Sequence, residues 1–173
     1  GSSRLTKIYK ADVVANDGKM MILRKEVDSC NLMINKIKNN SVCQSLLTGQ
    51  DVIYEEPGIK SINGTWWKGK ADCINKDQGL LVDIKTTGDI NRFRKSASIY
   101  NYDSQAYLYK EIFGYDLVFL VVCKKTHQIA VYDCSEEFYE RGSYKVKLAM
   151  EQYEKLIADP LFDLKDYVKE GTL

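Results

Sequence analysis

Seven consecutive apolar residues, Leu117-Val118-Phe119-Leu120-Val121-Val122-Cys123, constrain this chain more than any other stretch. They are far too few to cross a bilayer, which takes about 20 residues in a helix. A short run rich in Val, Leu and Phe favours an extended strand. A strand apolar at every position has to be covered on both faces. The chain must therefore build a sheet with a layer of structure on each side.

The covering helices can be read on either side of that strand. Leu23, Val27, Cys30, Ile34 and Ile37 recur at three- and four-residue steps, which predicts an amphipathic helix. Asn39-Asn40-Ser41 interrupts it, and Ser41 is expected to cap a shorter helix ending near Gly49. After the apolar strand, residues 127–134 predict a neighbouring strand. Ser135 with Glu136 and Glu137 then opens a long helix, with Phe138, Val146, Met150, Tyr153 and Ile157 inward. Pro160 ends it, and a short helical tail is expected beyond.

The middle of the chain alternates strands and turns. Residues 52–56 are β-prone and stop at Pro57. Asn63-Gly64 is a strong hairpin signal leading into residues 65–75. Lys76-Asp77-Gln78-Gly79 is a second turn, leading into residues 80–86. Together these predict a meander of three antiparallel strands. Asp89 should cap a helix carrying Phe93, Ala97 and Tyr100, and a second helix should run over residues 103–113 to a stop at Gly114. The fold class is α/β: a central mixed β-sheet flanked by α-helices. One domain is expected to span residues 1–173.

Composition narrows the function classes. With 25 basic and 24 acidic side chains the net charge is +1, so no global field attracts nucleic acid and any such contact must be local. The five cysteines (Cys30, Cys43, Cys73, Cys123, Cys134) are scattered with no CxxC pair, which excludes a zinc ribbon or an iron–sulfur cluster. Reduced cysteines and the absence of a secretory signal point to the cytoplasm and no membrane. The opening Gly1-Ser2-Ser3 reads as an expression scar, so the natural N-terminus is expected to lie elsewhere.

The chemistry concentrates at the second turn. If Asn75 pairs with Leu80, Asp72 falls opposite Asp83. Side chains alternate along a strand, so Asp83 and Lys85 share one face, and Asp72 shares its own with Lys70 and Lys68. Two carboxylates and an ammonium then meet on one face of a hairpin. Like charges directly opposed are destabilising, and a divalent cation would offset that repulsion with an oxygen-rich, water-retaining shell. Lys85 would orient a water or neutralise a phosphate transition state. The competing reading is an exposed cross-strand charge cluster. Against it, Leu80-Leu81-Val82 predicts a buried strand, where an unused carboxylate is costly.

Gly69-Lys70-Ala71-Asp72, Asp83-Ile84-Lys85-Thr86-Thr87 and Gln105-Ala106-Tyr107-Leu108-Tyr109, in that order, resemble the D…(D/E)xK…QxxxY series of the PD-(D/E)XK nuclease superfamily. The likeness is closer to the RecE (exonuclease VIII) type of phages and prophages. There a DIKTT strand is followed by an Arg-Phe helix start and a Tyr-rich segment carrying the Gln. Asp89-Ile90-Asn91-Arg92-Phe93 and Tyr100-Asn101-Tyr102-Asp103-Ser104-Gln105 match that order. The resemblance covers roughly residues 55–115 with specific motifs.

The resemblance implies a restriction-endonuclease-like fold with Asp72, Asp83 and the main-chain carbonyl of Ile84 as metal ligands. It implies Lys85 as the catalytic lysine and Mg²⁺ or Mn²⁺ as cofactor. Gln105 would contact DNA or the attacking water. Tyr109, on the same helical face, would be either a site or a core residue. It implies an exonuclease acting on double-stranded DNA ends in phage-type recombination, as a ring-shaped homo-oligomer partnered by a single-strand annealing protein.

The pattern departs from the family upstream, where a His or Glu on a helix usually completes the metal shell. The only histidine here, His127, lies downstream. Glu26, Asp28, Glu55 and Glu56 are the upstream acids, none in a recognisable motif. The family's N-terminal segment is expected to be missing. Two alternatives therefore stand: a catalytically impaired DNA-binding or assembly module of the same fold, and an endonuclease or Cas4-like member of the superfamily. Of Trp66-Trp67, one ring should be core and the other exposed or at a contact. Arg92, Arg94 and Lys95, with Lys124 and Lys125, would either touch phosphates or form a solvated basic face.

Overall fold

The structure, a computed structural model, describes residues 3–161. Its five strands are β1 (Val52–Ile62), β2 (Thr65–Asn75), β3 (Leu80–Thr87), β4 (Asp116–Cys123) and β5 (Ile129–Asp133), in the order β1-β2-β3-β4-β5. β3 and β4 are parallel and the other neighbours are antiparallel, so the sheet is mixed as expected. The helices are α1 (Lys7–Ala15), α2 (Arg24–Lys38), α3 (Ser41–Leu47), α4 (Phe93–Ile99), α5 (Tyr102–Phe113) and α6 (Glu136–Ala158). Among the described residues no helix is long and apolar enough to cross a membrane.

β4 is the seven-residue apolar run, and every residue from Leu117 to Cys123 is buried. Its alternate side chains feed two cores. Leu117, Phe119 and Val121 join Leu81, Ile74, Phe93, Ala106 and Tyr139 under α4, α5 and α6. Val118 and Leu120 join Cys73, Val82, Cys43 and Leu46 under α3. Burial of each such side chain contributes roughly 1.5–3 kcal/mol, which is why this strand sits inside the sheet and not at an edge.

Several local expectations need correction. The region before Leu23 forms α1, which shows no clear apolar period. Asn40, not Ser41, caps α3: its side chain accepts the Cys43 N–H. β1 runs through Pro57 to Ile62. It tolerates the proline because it is an edge strand, where a missing N–H need not cost a ladder bond. β5 begins at Ile129, not at residue 127, because His127 adopts a left-handed turn conformation (φ 57°). Tyr100, Tyr153 and Ile157 are exposed: Tyr100 lies past the end of α4, and the other two belong to the last turns of α6. The expected tail beyond Pro160 lies outside the described residues.

Candidate active site

The second turn closes as Asn75 opposite Leu80, the register read from the sequence. The ladder between β2 and β3 then ends at Cys73↔Val82, one residue before the two acids. From there β2 continues with β1 to its start at Thr65, while β3 continues with β4 to Thr87. The sheet forks, and Asp72 and Asp83 are the first residues on its two prongs.

The prong carrying Asp72 is kinked. Ala71 packs in the core under α5 and Cys73 in the core under α3, although strict alternation would put both on one face. β2 therefore changes sides at Asp72. On β1 the residue between the pairs Tyr54↔Cys73 and Glu56↔Ala71 is Glu55, whose φ is 56°, a left-handed conformation uncommon for a non-glycine residue. Asp72 is thereby turned into the mouth of the fork, where its Oδ2 accepts the Ile84 N–H at 2.9 Å. The N–H and C=O of one strand residue lie on the same side, so the Ile84 carbonyl opens on the fork as well. The expectation of three charged groups on one face is corrected accordingly. Asp83 and Lys85 face α5, whereas Asp72 lies at the fork and borders a cavity of about 350 Å³ on the α2–α3 side with Ile84, Tyr54, Lys38 and Gln44.

Asp83 is 3% exposed. Gln105 Nε2 donates to its Oδ1 at 2.6 Å. Lys85 Nζ lies 2.7 Å from Oδ2 as an ion pair, yet without close hydrogen-bond alignment to that buried oxygen. Burial raises the Asp83 pKa above the ordinary carboxylate range. Lys85 draws it back, the charge of Asp72 raises it further, and the Gln105 hydrogen bond lowers it. The Lys85 ammonium is seated 4.8 Å above the centroid of the Tyr102 ring and 6.0 Å from that of Phe119. Those rings stack on each other at 5.5 Å.

α5 brings the remaining groups. Gln105 and Tyr109, four residues apart, reach the two prongs from one helical face: Gln105 holds Asp83, and the Tyr109 hydroxyl donates to the Lys70 carbonyl at 3.0 Å. Tyr109 can reach so far because β2 has Gly69 beneath it, where an added Cβ would sit 3.0 Å from the ring. The first turn of α5 is fixed by Asp103, fully buried and bonded by Arg141 Nε at 2.6 Å and Lys145 Nζ at 2.8 Å from α6.

A family model described as "PDDEXK-like domain of unknown function (DUF3799)" matches residues 4–161. The chain belongs to this family. The PD-(D/E)XK assignment made from the three motifs therefore holds, and with it the restriction-endonuclease-like α/β fold. Among solved structures, the "Putative exonuclease" of Eubacterium rectale superposes with a TM-score of 0.62 at 19% identity, over 84% of this chain and 59% of that one. This PDDEXK-like domain thus spans about six tenths of that protein's length, and at that identity the likeness is one of fold. A "phage related exonuclease" from Haemophilus somnus 129PT superposes with a TM-score of 0.48 at 15% identity, over 88% of this chain and 84% of that one, too loosely to add to this. No curated protein matches the chain.

Within the PDDEXK-like domain the fork gathers Asp72, Asp83, Ile84, Lys85, Gln105 and Tyr109. The other candidates are placed elsewhere. Arg92 pairs with Asp89 at 3.7 Å, Arg94 lies over the Tyr132 ring, and Lys95 is exposed on α4. Lys124 and Lys125 are exposed in the β4–β5 turn. Among the described residues no three His, Cys, Asp or Glu side chains gather as a metal site. Glu26 is committed to Arg4 and the Leu23 N–H, Glu55 to Lys70, and His127 to the turn. Sequence reasoning missed Tyr102 and the Asp103 network. The only signal for either was an acid in the first turn of a helix and an aromatic three residues before Gln105.

Proposed function

We propose that this chain is a metal-dependent deoxyribonuclease, acting as an exonuclease on double-stranded DNA ends. The observation that carries the reading is the state of Asp83: buried, paired with Lys85, held by Gln105, and left with an oxygen lacking an aligned donor beside a second acid. The donor set suits a hard cation, since Asp72, Asp83 and the Ile84 carbonyl offer only oxygens. Mg²⁺ or Mn²⁺ held by those three groups would supply Lewis-acid polarisation of a phosphodiester and lower the pKa of a water.

The chain's own residues supply the rest. Lys85, braced on Tyr102, places a fixed positive charge where negative charge grows on the phosphate. Gln105 fixes the rotamer of Asp83, and Tyr109 ties the Asp72 prong to α5 by donating to the Lys70 carbonyl. The exonuclease name of the Eubacterium rectale protein of similar fold supports the finer reading, as does the motif order of the RecE type. A homo-oligomer and a single-strand annealing partner belong to the same reading.

The absence of a third acid among the described residues favours one rival, a DNA-binding module without catalysis. End-labelled linear duplex incubated with Mg²⁺ separates the two, with Asp83→Ala as control. Release of mononucleotides or short oligonucleotides by the unmodified chain, lost in the variant, is expected. Binding without release would establish the module. Cutting of closed circular DNA would instead make the chain an endonuclease.

A further inference from the structure

We propose that Trp66, Lys68 and Lys70 form a track for single-stranded DNA that delivers the strand to be cut to Asp72. The assignment of Asp72 rests on the nuclease reading above; the track itself rests on the shape of the β1–β2 arm. Only Cys73, Ile74 and Asn75 of β2 pair with β3, so the rest of β2 stands out with β1 as a two-stranded arm.

One face of that arm is occupied. Gly69 meets Tyr109 and Ile112 of α5, Ala71 is in the core, and the Trp67 indole N–H is buried. The alternate residues therefore face away from α5. Trp66 is 70% exposed, and Lys68 and Lys70 are exposed. Two residues along a strand advance about 6.8 Å, close to the spacing of successive phosphates in an extended strand. An aromatic ring followed by two ammonium groups at that repeat is the composition of a sequence-tolerant single-strand site, where bases stack and cations follow the backbone.

The row also has a destination. Its next member is Asp72, which opens into the cavity of about 350 Å³ lined by Lys38, Gln44, Thr48 and Tyr54. Lys68 has no acidic partner among the described residues, and Lys70 has only the exposed Glu55, which a phosphate can replace. A β-strand face is too narrow to follow both strands of a duplex, so a duplex end must be opened before its strand lies along this row.

The two indoles allow a direct test in the full chain without metal, using oligo(dT) as probe. In Trp67→Phe the sole indole is Trp66, and its fluorescence should be quenched on titration; in Trp66→Phe the half-buried Trp67, on the opposite face of the arm, should stay unchanged. Trp66→Ala should weaken oligo(dT) binding roughly 5- to 150-fold, the range of one lost stacked base. Lys68→Ala should reduce the salt slope of log K by about 0.7, one single-strand phosphate. Unquenched Trp66 at saturating oligo(dT), or an unchanged slope in Lys68→Ala, overturns the track. If Asp83→Ala abolishes cleavage while Trp66→Ala binds normally, the nuclease reading survives and the track falls. Quenching without any cleavage leaves the track and removes the nuclease reading.

Discussion

Replacing Gln105 by Ala removes one hydrogen bond and one only. Nε2 donates to Asp83 Oδ1 at 2.6 Å, short enough for a charge-assisted bond. Asp83 is 3% exposed, so water does not readily take the donor's place. A hydrogen bond to a charged group contributes about 1.5–3 kcal/mol, and its loss releases the Asp83 rotamer while raising the cost of the ionised form. If Asp83 is a metal ligand, that energy should appear as weakened cation affinity. Partners that orient metal ligands are worth roughly 10- to 100-fold in affinity, or about 1.4–2.7 kcal/mol, which overlaps the hydrogen-bond figure. The assay is cleavage of labelled duplex across a Mg²⁺ titration. The half-saturating Mg²⁺ concentration should rise roughly 10- to 100-fold, with most of the maximal rate recovered at saturation. A folded Gln105→Ala protein with an unchanged Mg²⁺ midpoint and a uniformly reduced rate would refute the argument, and would assign Gln105 to substrate or water instead.

Tyr102→Leu removes the ring under the Lys85 ammonium and a cation–π contribution of about 0.5–2 kcal/mol; kcat should fall with KM little changed, and Tyr102→Phe should restore it. Gly142→Ala would place a Cβ 2.1 Å from the Asp103 carbonyl oxygen. Because that neighbour is backbone, the melting temperature should drop by the equivalent of about 3 kcal/mol, loosening the α5–α6 contact that aims Gln105. Asp103 gives a pH signature. Burial alone would raise its pKa, but Lys145, Arg141 and the Ser104 N–H outweigh that and hold it below the ordinary value. A carboxylate lowered in the folded state contributes stability that is present above its unfolded pKa of about 3.9 and is lost as pH falls through the folded value. Denaturant unfolding of Asp103→Asn against the unmodified chain should therefore show a constant deficit above about pH 5 that shrinks in more acidic buffer; a deficit independent of pH would remove the charge from the explanation.

Much of this was legible in the sequence because it is local. The apolar run became β4, an interior strand of the sheet, Asn63-Gly64 closed a hairpin, Lys76–Gly79 closed its turn in the expected register, and the order of elements followed. Period two in a strand and period 3.6 in a helix also fixed that Asp83 shares a face with Lys85 and Gln105 with Tyr109, while the choice of Gln105 and Tyr109 as site candidates came from the motif resemblance. The fork was not legible. Register from a turn assumes that two strands stay paired, and nothing in residues 70–73 announces that β2 leaves β3 at Cys73. Nor did composition reveal Asp103, whose partners Arg141 and Lys145 lie 38 and 42 residues away. Such pairings depend on how two helices cross, which a one-dimensional pattern does not encode. Arg92, Arg94 and Lys95 were offered on charge as phosphate contacts or a solvated basic face, and the structure places them away from the fork, with Arg92 beside Asp89 and Arg94 over the Tyr132 ring.

The fork also explains why so many unfavourable features crowd into one place. Glu55 holds a left-handed backbone in a strand, Asp83 is a buried acid with an oxygen lacking an aligned donor, and the β2–β3 ladder stops short. Each costs stability: about 1–3 kcal/mol for the backbone alone, with a desolvation penalty for the acid that its ion pair with Lys85 only partly offsets. They occupy neighbouring positions on three adjacent strands. A continuous ladder would have satisfied the Ile84 N–H and carbonyl with β2 backbone and set Asp72 on one face, closing the gap in which an oxygen-bound cation and a phosphate could meet. Opening the sheet exchanges those ladder bonds for a single side-chain acceptor, Asp72, that can be given up when a ligand arrives. Departures from local rules that fall together are expected at functional or strained sites, and that coincidence is what supports reading the fork as the nuclease site. Here they coincide with the D…DxK residues of the family to which the chain belongs.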